Sequence, residues 1–75
     1  MSATEEVLAE AEACYEQGDL EEALQRYRQV LDERPDDAEV LNDIATVCFA
    51  AGLLEESRRY YLRALAIDRN HEIVR

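Results

Sequence analysis

The chain has no lysine and no tryptophan, and its 75 residues include two Gly, one Pro and one His. Each shortage excludes something. With so little Gly and Pro, the chain has few breakpoints, so its elements are long and its turns few. The single His71 has no companion ligands, which argues against a zinc site, and it reads as a solvated residue at a helix start. Cys14 and Cys48 lack CxxC spacing and a neighbouring His. They are read as small buried hydrophobes with reduced thiols, which points to the cytoplasm. A Gly-rich phosphate loop is missing. No apolar run approaches the roughly 20 residues needed to span a bilayer. The opening MSATEEVLAE is acidic and lacks the basic-then-apolar order of a secretory leader.

Positive charge is also scarce. Eight Arg face 18 acidic residues, for a net charge of −10. A surface this acidic repels nucleic acid and anionic lipid, and favours basic partners. The imbalance is local: residues 1–37 carry 12 acidic and 3 basic groups, net −9, while residues 38–75 carry 6 and 5, net −1.

What the chain does have is one phrase written twice. CYEQGDLEEA starts at Cys14, and CFAAGLLEES starts 34 residues later at Cys48. Sliding residues 4–37 onto 38–71 matches Glu5/Glu39, Ala11/Ala45, Cys14/Cys48, Gly18/Gly52, Leu20/Leu54, Glu21/Glu55, Glu22/Glu56, Tyr27/Tyr61 and Leu31/Leu65. A period of this length marks a stacked-repeat architecture.

Each unit shows helical periodicity in two stretches. Val7, Ala11 and Cys14 share one face, as do Leu41, Ala45 and Cys48. Leu20, Ala23, Leu24, Tyr27, Val30 and Leu31 form the second stripe, repeated by Leu54, Tyr61, Ala64 and Leu65. Gly18 and Gly52 divide the stretches, and Gly readily takes the left-handed conformation that ends a helix. Asp19 with Glu22 reads as a capping box, as does Ser2 with Glu5. Pro35 closes the first unit and Asp37 caps the next helix. The prediction is four helices, at about 3–17, 20–33, 37–51 and 54–68, followed by a stub in which Asn70 starts a new element. The fold class is therefore all-α, a helical solenoid of two helix–turn–helix units (4–37 and 38–71), with 72–75 opening a third or capping helix.

This 34-residue pattern resembles the tetratricopeptide repeat. The first unit supplies Val7, Ala11, Cys14, Ala23, Tyr27 and Pro35, and the second supplies Leu41, Ile44, Ala45, Cys48, Ser57 and Tyr61. Glu10, Ser57 and Arg69 depart from the pattern where it wants Leu, Ala and Pro. The resemblance implies a non-catalytic protein-interaction module without cofactors, whose first helices line a concave groove that holds a peptide. The positions implied are Glu5, Leu8, Glu12, Tyr15 and Glu16 in the first unit, and Glu39, Asn42, Asp43, Thr46, Phe49 and Ala50 in the second. A subclass of the family clamps a peptide C-terminal carboxylate with Lys, Arg and Asn; here Leu8, Glu12 and Asp43 would repel one. The expected ligand is instead a peptide with basic and apolar residues.

Two further expectations concern the ends. Glu6, Ala9 and Glu10 make α-helix one a polar end of the stack. Helix four, with Tyr60, Tyr61, Leu62, Leu65 and Ile67, is apolar over a broad face, and Ile73 and Val74 extend it. That face is read as a site of self-association, giving a homo-oligomer, or as the seat of a further repeat. The other alternative is an accessory segment of a larger enzyme. Arg58, Arg59 and Arg63 are read as a solvated cluster paired with Glu55 and Glu56.

Overall fold

Three short links break the chain into helices, and their chemistry sets where each helix ends. The computed structural model describes the backbone of residues 3–73 and the side chains of residues 3–69. It contains α1 (Ala3–Glu16), α2 (Leu20–Glu33), α3 (Ala38–Ala50) and α4 (Leu54–Ile73). Ser2, Val74 and Arg75 lie outside the described residues.

The α1–α2 and α3–α4 links are built alike. Gly18 and Gly52 have φ of +84° and +82°. Gly18 N donates to Tyr15 O (3.0 Å) and Asp19 N to Cys14 O (2.9 Å); Gly52 N donates to Phe49 O (3.1 Å) and Leu53 N to Cys48 O (2.8 Å). These are paired Schellman closures, which satisfy the last carbonyls of α1 and α3.

The predicted capping box at Asp19 does not form. Asp19 sits at φ −87°, ψ 76° and its side chain makes no cap hydrogen bond. Its backbone already closes α1 through its N–H and opens α2 by accepting from Ala23 N at 3.0 Å. Leu53 does the same with an apolar side chain, accepting from Ser57 N at 2.9 Å. The substitution of Asp by Leu at this point therefore removes no cap. Asp37 behaves as predicted: its Oδ1 accepts from Glu39 N (3.0 Å) and Val40 N (3.3 Å).

α4 departs from expectation. It runs unbroken to Ile73, through Asn70, instead of ending at 68. In the first unit Pro35 removes a donor and stops the helix. The equivalent residue is Arg69, a good helix former, and nothing there interrupts the hydrogen-bond ladder. Asn70 and residues 71–73 thus continue α4, and no new element starts there.

Consecutive helices pack as α1 on α2, α2 on α3 and α3 on α4, giving a slab of 39 × 33 × 17 Å. The thin dimension corresponds to two layers of helices. One core cluster joins Ala11, Ala23, Leu24, Tyr27 and Val30 of the first unit to Val40, Ile44, Val47 and Cys48 of the second. Ala11, Ala23 and Ala45 are buried, and their small side chains allow close approach of the helix backbones. Ser57 stands where the family pattern has Ala. It is accommodated because its hydroxyl donates to the Ala45 carbonyl of α3 at 2.7 Å. Cys48 is buried, Cys14 half-buried, and both thiols are free. Burial pushes the Cys48 thiol up, with Glu56 adding to the shift and Arg28 opposing it.

Candidate functional site

α1 and α3 occupy equivalent places in the two units, and α2 lies between them in the chain of contacts. Tyr27 of α2 is the junction. Its side chain is 4% exposed. Burial first, then Asp43, Glu12, Tyr15 and Glu16, push its phenol up to about 12. Acids from α1 and α3 therefore act on one hydroxyl. Asp43 is half-buried, and its carboxyl is raised from 3.8 to about 6, first by burial and then by Glu39, Glu12 and Asp37. The repeat thus gathers Glu12, Tyr15, Glu16, Glu39 and Asp43 into one electrostatic neighbourhood.

The three arginines of the first unit are committed elsewhere. Arg26 bridges Glu10 (2.9 Å) and Glu22 (3.1 Å), Arg28 reaches Glu56 (3.4 Å), and Arg34 lies 3.7 Å from Glu5 and 4.0 Å from Asp37. Among the described residues, Glu12, Glu16, Glu39 and Asp43 have no basic partner.

The remaining predicted positions spread out from this centre. Phe49 is 67% exposed and Tyr15 36%. Both rings stand at the C-terminal ends of their helices. Thr46 is exposed, and its hydroxyl donates to the Asn42 carbonyl at 3.0 Å within α3. Leu8 is half-buried against the core cluster and offers little free surface. Asn42 and Glu39 face outward onto a second feature, a groove of about 360 Å³ between α3 and α4 that is also lined by Ala38, Tyr61, Ala64, Leu65 and Asp68. Sequence reasoning assigned Tyr27 wholly to the core and missed that its polar end meets the acids. The signal available was a hydroxyl-bearing ring in a stripe otherwise built of aliphatic residues.

Helix four requires two corrections. Tyr60, expected on the exposed face, is half-buried and packs in part against the core cluster. Ile67 is half-buried, whereas Leu62 and Leu65 are exposed along with Tyr61, next door to Tyr60. One residue along a helix is a turn of 100°, so the two adjacent tyrosines part company. The Ile73 side chain and Val74 lie outside the described residues. The expected pairing of Glu55 and Glu56 with the arginine cluster does not form among the described residues: Glu56 pairs with Arg28 of α2, and the Arg63 guanidinium sits 5.5 Å from the Tyr60 ring centroid.

The tetratricopeptide repeat family model matches residues 15–75, from the end of α1 through α4. The chain belongs to the tetratricopeptide repeat family. Such repeats are non-catalytic and mediate protein–protein interaction. No curated protein matches the sequence. No helix among the described residues is long and apolar enough to cross a membrane.

Proposed function

We propose that this tetratricopeptide repeat chain is a non-catalytic docking module, working in the cytoplasm, that holds a peptide segment of another protein against the α1–α3 face. The segment carries Lys or Arg for the acids and an apolar side chain for the rings of Tyr15 and Phe49. The observation behind this is the crowding of Glu12, Glu16, Glu39 and Asp43 with no basic partner among the described residues; Asp43 itself is raised to about 6, first by burial and then by Glu39, Glu12 and Asp37. A ligand cation relieves that repulsion, and aromatic rings anchor a peptide at low entropic cost.

The test is calorimetric titration of a basic and an acidic peptide of matched length. The basic peptide is expected to bind, with affinity falling as salt rises. Binding also weakens as pH drops through about 6, because a bound cation favours ionised Asp43 and protons compete with it. Tyr15→Ala and Phe49→Ala each lower affinity about tenfold while helix content stays unchanged. Equal affinity for the two peptides, or none for either, removes the charge-selective site.

A further inference from the structure

The repeat itself shows what is left uncovered. On α2, Tyr27 and Val30 are 4% and 1% exposed because α3 lies over them. Their equivalents on α4 are Tyr61, which is exposed, and Ala64, which is 5% exposed and lines the open groove between α3 and α4. Tyr61 and Leu62 are each 51% exposed and Leu65 40%. The opposite end of the stack is closed differently. There Glu10 and Arg26, at the positions equivalent to Ile44 and Tyr60, form an ion pair at 2.9 Å. Burying that pair under another repeat carries a desolvation cost, so head-to-tail addition of copies is disfavoured.

The open face of α4 has a regular seam. Leu54, Arg58, Tyr61, Leu65 and Asp68 follow one another at steps of four, three, four and three residues, the spacing of a coiled-coil seam. We propose that two copies of this chain pair through α4, antiparallel, about a two-fold axis beside Arg63. In that register Tyr61 meets Leu65 of the second copy, and Arg58 meets Asp68 of the second copy, each contact occurring twice by symmetry. Arg63 stands half a turn from the seam, over Tyr60, and stays out of the interface. Arg58 and Asp68 are exposed and make no ion pair among the described residues, so both are available. Tyr61 of the second copy has the groove lined by Asn42, Ala64, Leu65 and Asp68 to enter.

Charge favours this element over the others. The first half of the chain carries nine of its ten net negative charges, whereas residues 54–69 hold three acids against four arginines, net +1. Two copies therefore meet with least repulsion along α4.

Sedimentation equilibrium of the whole chain over a concentration series tests the proposal. The wild type is expected to dimerise with Kd of about 1–100 μM, fitting an interface at the small end of specific ones. Arg58→Asp and Asp68→Arg each place like charges opposite one another twice and weaken the dimer about tenfold or more. The double variant restores it. Both sites are exposed, so circular dichroism of all variants should match the wild type. A wild type that stays monomeric to about 1 mM overturns the proposal and leaves the groove to a helix from another chain. A dimer that ignores the single reversals, or is not rescued by the double variant, overturns the register and the pairing with it.

Discussion

Asp43 titrates near pH 6 because it is half-buried among Glu39, Glu12 and Asp37. A raised carboxyl means that the folded chain holds this proton more tightly than the unfolded chain does. Its contribution to stability is complete below the ordinary value of 3.8 and is lost as pH rises through about 6. Ionised Asp43 is thus a strain on the fold at neutral pH. Asp43→Asn should raise Tm at pH 7 by on the order of a few degrees, with almost no gain at pH 4, where Asp43 is already protonated. Thermal melts at the two pH values check this; an equal gain at both would show that the acids around Asp43 do not act on it. In the proposed docking role, a bound cation would relieve this repulsion.

At the scale of elements, helix ends separate what backbone geometry does from what side chains do. Asp19 and Asp37 both precede a helix, but only Asp37 caps one with its carboxylate. Asp37→Ala should cost about 1 kcal/mol in urea unfolding, and Asp19→Ala should stay within about 0.5 kcal/mol of wild type. Comparable losses would contradict the assignment of the α1–α2 link to backbone closure. These ends also show what was legible in the sequence. Gly18, Gly52 and Pro35 located three of the breaks because Gly has a backbone freedom, and Pro a backbone constraint, that no other residue shares. The end of α4 was not legible in the same way, since Arg69 carries no such constraint and Asn70 favours a cap without compelling one. The candidate site was legible as a stripe of positions, from Glu12 and Tyr15 to Phe49. That Leu8 turns toward the core, and that Tyr27 brings its hydroxyl among the acids, depends on packing between helices that are distant in sequence.

At the scale of the molecule, two copies of one hairpin have diverged at their outer surfaces while keeping a shared core. Val40 and Ile44 are buried between the units, whereas their counterparts Glu6 and Glu10 on α1 are exposed. The acids collect on α1, α2 and the start of α3, and the arginines of α4 balance its own acids. One sequence period thereby yields an acidic face made by the first helices and a mixed apolar face on the last. The central claim is that the acidic face is where a partner's peptide lies. The most direct measurement is a heteronuclear NMR titration of the labelled chain with a Lys/Arg-bearing peptide that also carries an apolar residue. Shift changes are predicted to gather on Glu12, Tyr15, Glu16, Glu39, Asp43 and Phe49. Changes confined to α2 and α4, or none at a saturating peptide concentration, would contradict it.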